Sequence, residues 1–472
     1  MAILFAKTKQ GTVEGKPGWN RSISVFKGIP FAAPPVGDNR WRKPQPPASF
    51  RGIRKCFDYG PIPYQNYQEA GNDVLVSGIE TFHHPIGEDC LYLNIWTPAK
   101  TPDAGLPVAV YIHGGGFHMD YAFQNKHDGE GFAKRGCIFV TVSYRLGVFG
   151  FLSHMQLEKE GKGSGNYGLL DQIAAIRWVK ENIQAFGGNP DCITLIGFSG
   201  GAASVEYLCA SPLTKGMFQR AVMQSGGGFR PVFSSWAISR SAAMSLGKAY
   251  FRYMNIETVE EGRRLSADEI LKGFIGLNQI PLFEKEEIGV DGVNYFRFTP
   301  GIDGYVLTQS PIATFLEGKH EDIDYLVGET AGEGCRTLVA DVAWCRNQNR
   351  LDRKPVYQYY FKRVPPGAEC AFHSCEQEYM FQTLLKSEQW KYAGPDFEIS
   401  NDMADYLANF IKTGNPNGED LPEWTPYTQE NPKAMQFDST REMVEIKLTE
   451  HEEAVVDRLL HDRILFGLSN DS

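Results

Sequence analysis

Five short apolar runs rich in branched side chains constrain this chain more than any other feature. They lie at Val108–Ile112, Cys137–Val142, Cys192–Ile196, Arg220–Met223 and Tyr325–Val327, each bounded by Gly, Ser or charged residues. Runs of this length without polar alternation read as strands buried on both faces, the condition of a parallel sheet. Between the second and third, Asp171–Phe186 spaces Ile173, Ile176, Val179, Ile183 and Phe186 three or four apart and stops at Gly187-Gly188-Asn189-Pro190. That is an amphipathic helix with a glycine stop. Strand, helix, strand is the unit of a doubly wound α/β sheet, whose ligand site lies beyond the carboxyl ends of its strands.

The chain has 472 residues, more than the roughly 250–300 at which one core usually stops growing. It carries no internal repeat, low-complexity tract or long linker, and 42% of it is hydrophobic. One continuous domain over residues 1–472, with loop insertions, is the expectation. Two segments outside the strand pattern are read as follows. Ser400 caps a covering helix that carries Met403, Tyr406, Leu407, Phe410 and Ile411 and ends at Gly414-Asn415-Pro416. Phe26–Pro47, dense in Pro and Gly around Trp41, forms an irregular wrap.

A formal net charge of -10 argues against nucleic acid or an anionic membrane as partner, because both would be repelled. Only Met1 to Ala6 is apolar before Lys7 and Lys9, too short for a signal-peptide core of about 7–15 residues. No run approaches the roughly 18 apolar residues of a spanning helix, so a cytoplasmic location is expected. Nine cysteines without CxxC spacing suggest no zinc or redox site, and most of them read as small buried hydrophobes.

Chemistry concentrates at the strand ends. Directly after Cys192–Ile196 stands GFSGG, Gly197 to Gly201, followed by the small residues Ala202, Ala203 and Ser204. This is the pattern of a nucleophile elbow: a serine on a strained strand-to-helix turn, with glycines two residues either side that let strand and helix approach. HGGGF, His113 to Phe117, follows Val108–Ile112 and offers unobstructed backbone amides for an oxyanion. In this arrangement an acid and then a histidine follow the serine. Of ten histidines only His373, His451 and His461 follow a suitable acid, and the last two sit in EHEEAVVDRLLHDR, a charged, solvated helical pattern. His373 therefore remains as the base. Its acid is Glu329 or Glu333 in GETAGEG, whereas Asp303 in IDG reads as a turn.

These residues resemble the type-B carboxylesterase family along most of the chain. The likeness is carried by FKGIPFAAPPVGDNRWRKPQPP from Phe26, EDCLYLNIWTP from Glu88, YIHGGGF, SYRLGVFGFLS from Ser143, GNYGLLDQIAAIRWVKENIQAFGGNP from Gly165, the elbow, QSGG from Gln224, GAECAFHSCEQEYMF and FIKTGNPNG from Phe410. The resemblance implies an α/β-hydrolase fold, with a mostly parallel central sheet flanked by helices and insertions over the active site. It implies hydrolysis of small to medium or aromatic carboxylic esters through an acyl-enzyme, with neither metal nor organic cofactor. Position by position, it puts the nucleophile at Ser199, the acid at Glu333 rather than Glu329, the base at His373 and the oxyanion amides at Gly115, Gly116 and Gly200.

Ser225 of QSGG matches the family's buried serine near the triad, although a hydroxyl satisfying backbone accounts for it equally well. Phe198 stands where the family usually has Glu, which disfavours cationic, choline-like alcohols. Cys90 matches a cysteine that is disulfide-bonded in secreted members, with Pro63 near the place of its partner. The interval between Glu333 and His373 looks shortened, which would open the cleft to bulky esters. The implied partner is a small-molecule ester, and the implied assembly a monomer or small homo-oligomer. The alternatives are a catalytically silent member that binds proteins and a lipase for long-chain esters.

Overall fold

The computed structural model describes residues 2–66, 84–229, 237–280, 297–387 and 389–462. Eleven strands form one sheet: β1 (Lys16–Pro17), β2 (Ser24–Pro30), β3 (Tyr92–Thr97), β4 (Leu106–Ile112), β5 (Ile138–Val142), β6 (Gly188–Phe198), β7 (Arg220–Gln224), β8 (Asp324–Thr330), β9 (Val356–Phe361), β10 (Lys433–Phe437) and β11 (Arg441–Glu445). Their spatial order is β11-β10-β9-β8-β7-β6-β4-β5-β3-β2-β1. Pairing is parallel from β10 through β5, while β11 at one edge and β3, β2 and β1 at the other run antiparallel to their neighbours. All five runs read from the sequence lie in the parallel part.

Alternation along the central strands divides the core in two. On β4, Val108, Val110 and Ile112 face one side. Ala109 and Tyr111 face the other. The first face is covered by α1 (Tyr167–Asn182), α2 (Gly200–Ala210), α3 (Cys335–Arg350) and α6 (Glu450–His461). The second is covered by α4 (Cys375–Met380) and α5 (Gly394–Thr413). Both faces being apolar explains why the central strands lack a polar period.

Helix α1 stops as expected, through one 3-10 turn to Gly187 at φ 85°. It starts four residues before Asp171, which is buried within it and takes two 2.7 Å hydrogen bonds from Arg145.

Two sequence readings are corrected. Phe26–Pro47 is not wholly irregular: Phe26 to Pro30 belongs to β2, which pairs with β3 through Phe26 with Ile95 and Ile29 with Leu93. Ser400 does not cap its helix. The first turn forms at Gly394-Pro395, where the Asp396 carboxylate takes the Ala393 N–H at 2.9 Å. Ser400 lies inside the helix and gives its hydroxyl to the Tyr379 carbonyl at 2.7 Å, joining α5 to α4. Gly414 ends the helix at φ 82°.

Candidate active site

Strand β6 delivers Ser199 to a conformation that the chain resists. The residue sits at φ 53°, ψ -120°, between the end of β6 and the start of α2, a region that costs a non-glycine residue roughly 1–3 kcal/mol. It is held there from both sides, its N–H on the Gln224 carbonyl at 2.8 Å and its carbonyl taking the Ala203 N–H at 3.1 Å. The flanking glycines are required by proximity. A β-carbon on Gly197 would lie 2.1 Å from the Gly201 carbonyl oxygen, and one on Gly201 equally close to that of Ile112.

The HGGGF loop leaves β4 and folds against the elbow. Gly114 packs so that a β-carbon there would fall 3.2 Å from Ser199 Cβ, and one on Gly200 would fall 2.9 Å from the Gly116 nitrogen. Gly115 turns at φ 83°, where an added β-carbon would strike the Met119 carbonyl. His113 is buried, kept neutral by desolvation, and stacks on Tyr144 with ring centroids 4.4 Å apart.

Beyond β8, a short 3-10 turn presents Glu333, and its Oε1 lies 3.0 Å from His373 Nδ1. The carboxylate also accepts from Thr330 at 3.0 Å and Thr337 at 3.2 Å. Burial alone would raise its pKa. The imidazole and the hydroxyls of Ser225 and Thr330 outweigh burial and hold it below the usual carboxylate range. Glu329, the other acid of GETAGEG, is buried within β8 and has no such contact with His373. Asp303 accepts the amides of Tyr305, Val306 and Leu307, the turn expected of it. The imidazole of His373 packs on Phe198, ring centroids 4.7 Å apart.

Ser225, at φ 52° just past β7, is buried, and its backbone N–H reaches the Gly328 carbonyl at 2.7 Å. Its hydroxyl reaches further, to Glu376 Oε1 at 3.0 Å. The sequence reading missed Glu376, three residues past His373 on α4. It is fully buried, and desolvation together with nearby Glu333 pushes its pKa up to about 7. Its neighbour Gln377 donates to Tyr111 OH at 3.1 Å, and that hydroxyl lies 3.0 Å from His127 Nε2. Burial drives the His127 pKa down to about 3, so this polar knot between β4 and α4 stays uncharged. The signal for both residues was their place one turn beyond His373, which reads as a charged helix start.

Of the cysteines beside His373, Cys375 is buried and held as a thiol by desolvation, and Cys370 is exposed. Cys90 is free and buried, beside Arg40, Glu88 and Arg145. Between Glu333 and His373 the chain makes α3 and β9, and α3 packs on β8, β9 and α6. Arg346 of α3 clasps Glu453 of α6 at 2.6 Å. No described helix is long and apolar enough to cross a membrane.

The model of the Carboxylesterase family matches residues 4–350 and 338–456. The chain belongs to the carboxylesterase family. This family membership extends to close relatives among curated proteins. The chain is 32% identical over 497 residues to the para-nitrobenzyl esterase of Bacillus subtilis strain 168, covering 93% of this chain and 96% of that one. It is 38% identical over 336 residues to the fumonisin B1 esterase of Sphingopyxis macrogoltabida, a match over 70% of this chain that spans only 56% of that protein. Among solved structures, the Geobacillus stearothermophilus carboxylesterase EST55 superposes with a TM-score of 0.76 at 29% identity, over 96% of this chain and 99% of that one. A PNB esterase superposes at 0.79 and 28% identity, with the same coverage. The fold is thus that of the α/β-hydrolases, and as a carboxylesterase the protein is a serine hydrolase of carboxylic esters.

Proposed function

We propose that Ser199, His373 and Glu333 form the triad of this esterase, with the amides of Gly115, Gly116 and Gly200 as its oxyanion hole. The observation that carries the reading is the 3.0 Å contact between Glu333 Oε1 and His373 Nδ1, which leaves the opposite ring nitrogen to serve the serine. His373 Nε2 takes the Ser199 proton as Oγ adds to the ester carbonyl, and the carbonyl oxygen, now negative, is met by the three amides. Collapse expels the alcohol, which receives that proton, and leaves an acyl-serine. A water deprotonated by His373 adds to the acyl carbon, and the second collapse releases the acid and returns the proton to Ser199.

The substrates we propose are small to medium or aromatic esters. Support comes from the interval between Glu333 and His373, where the described chain is spent on a crossover helix and a sheet strand, and from relatives named for fumonisin B1, para-nitrobenzyl and phenmedipham substrates. The reading includes one catalytic domain over residues 1–472, acting in the cytoplasm as a monomer or small homo-oligomer.

The test is hydrolysis of p-nitrophenyl acetate, butyrate and a long-chain ester by wild type and Ser199→Ala, with organophosphate labelling. Burst release and labelling in wild type, both lost in the variant, support Ser199. A rate that rises with chain length identifies a lipase instead. A folded wild type that neither turns over nor labels overturns the triad and leaves a binding protein.

A further inference from the structure

Strand β6 ends on Phe198, one residue before the strained serine, and its ring is not spent on the pocket surface: the residue is only 5% exposed. Its ring centroid lies 4.7 Å from that of the His373 imidazole, with the planes tilted by 37°. The imidazole is thus engaged on two sides. Its Nδ1 edge meets Glu333 at 3.0 Å, and a ring face meets Phe198. Among the described residues, the ionisable groups near it are Glu333 on the turn after β8 and Glu376 on α4, with the thiol of Cys370 in the histidine's own loop and that of Cys375 at the start of α4. Phe198, Ala371 and Cys375 belong to the same apolar cluster, while the His373 side chain itself remains 23% exposed.

The face of an aromatic ring carries negative charge density, and it attracts a cation placed within about 6 Å of the centroid, most strongly where water is excluded. The imidazole becomes such a cation twice per turnover, each time it holds the proton taken from Ser199 or from water. We propose that Phe198 is a positioning residue for His373, its ring holding the imidazole against Glu333 and stabilising the imidazolium formed in acylation and deacylation. The inference rests on the triad reading above. A buried carboxylate at this position would stabilise the same cation by charge and would need solvation or a partner of its own. The ring needs neither.

The experiment compares wild type, Phe198→Leu and Phe198→Tyr, with Ser199→Ala in parallel. It records the pH profile of kcat/KM with p-nitrophenyl butyrate, the organophosphate labelling rate and the thermal unfolding midpoint. Leucine keeps an apolar side chain and removes the ring; tyrosine keeps the ring. In Phe198→Leu the plateau of kcat/KM falls about 2- to 30-fold, and the acid limb moves to lower pH by roughly 0.4–1.5 units. Labelling slows in step, while Phe198→Tyr retains the wild-type limb and plateau. A leucine variant with the wild-type limb and plateau, or a tyrosine variant that falls with it, overturns the inference. Where the leucine protein does not fold, Phe198→Met takes its place under the same criteria. If Ser199→Ala keeps its turnover, the triad reading fails and this inference with it. If Ser199→Ala is inert while the leucine variant is unchanged, only the role of Phe198 fails.

Discussion

The Ser225 hydroxyl donates to Glu376 Oε1 at 3.0 Å and also lies against the Glu333 carboxylate, so the fully buried Glu376 and the largely covered Glu333 meet at one hydroxyl. Two neighbouring carboxylates in a dry site resist ionising together. Here Glu376 is the acid that gives up its proton last, its pKa pushed up to about 7 by burial and by Glu333, while Glu333, paired with the imidazole, is held below its usual range. The arrangement concentrates one negative charge on the acid that touches His373.

A stability consequence follows for Glu376. Its folded pKa of about 7 lies above its ordinary 4.5, so the folded protein holds a proton that the unfolded chain has released between those pH values. Folding is therefore penalised progressively as pH rises through that window, by at most about 3 kcal/mol above it. Glu376→Gln, neutral throughout, should unfold at the wild-type temperature near pH 4.5 and at a higher one above pH 7. Melting curves between pH 4.5 and 8 measure the divergence.

Replacing Glu333 by Gln preserves shape and removes the charge that faces Nδ1. By the behaviour of such triads, kcat should fall on the order of 10³–10⁴-fold with KM little changed. Steady-state kinetics on p-nitrophenyl butyrate supply the readout, and a loss under tenfold would disqualify Glu333 as the acid.

Gly200→Ala places a methyl group 2.9 Å from the Gly116 nitrogen. The HGGGF loop must recede from the elbow, weakening the grip on the oxyanion. A loss of kcat of about 10- to 100-fold is expected, below the roughly 10²–10³ for deleting one donor outright. The unfolding midpoint should fall as well, by the equivalent of the roughly 1–3 kcal/mol that overpacking a buried site costs. Kinetics and melting on the same preparation separate the two.

The Arg145–Asp171 pair has both partners buried and two 2.7 Å contacts. Asp171→Asn leaves the guanidinium charge without its counter-charge and should cost about 3–5 kcal/mol of stability. Urea unfolding measures the loss, and active-site titration should show the folded fraction still competent.

The central sheet was legible because β4 to β8 are buried on both faces and so appear as unbroken apolar runs. The outer strands hid for other reasons. Arg441–Glu445 is an edge strand that pairs on one side only and reads REMVE, and Ser24–Pro30, one strand in from the other edge, contains Gly and Pro, which resemble a loop. Ser400 misled because a serine before an apolar period looks like a cap, whereas Asp396 beside Pro395 started the helix earlier. At the site, Ser199, Glu333 and His373 stood out by motif, order and resemblance. Glu376 did not, because a glutamate in a helical stretch is ordinarily solvated, and only the tertiary packing of α4 buries this one against Glu333.

Strand β7 stands between β6, which ends at the serine, and β8, which leads to Glu333. The separation of those two strand ends is therefore metered by two interstrand spacings, about 10 Å in all. The excursion that follows the Ser225-Gly226-Gly227-Gly228 turn and runs to residue 323 leaves and re-enters at adjacent strands, so its length does not enter that measure. Lineages can lengthen, shorten or exchange this stretch, which includes the helices Arg240–Tyr253 and Ala267–Gln279, while inheriting the same reactive spacing. Changes of length in this excursion are thereby uncoupled from the upkeep of how the enzyme reacts, and a recombination library confined to it leaves the spacing of the strand ends unaltered.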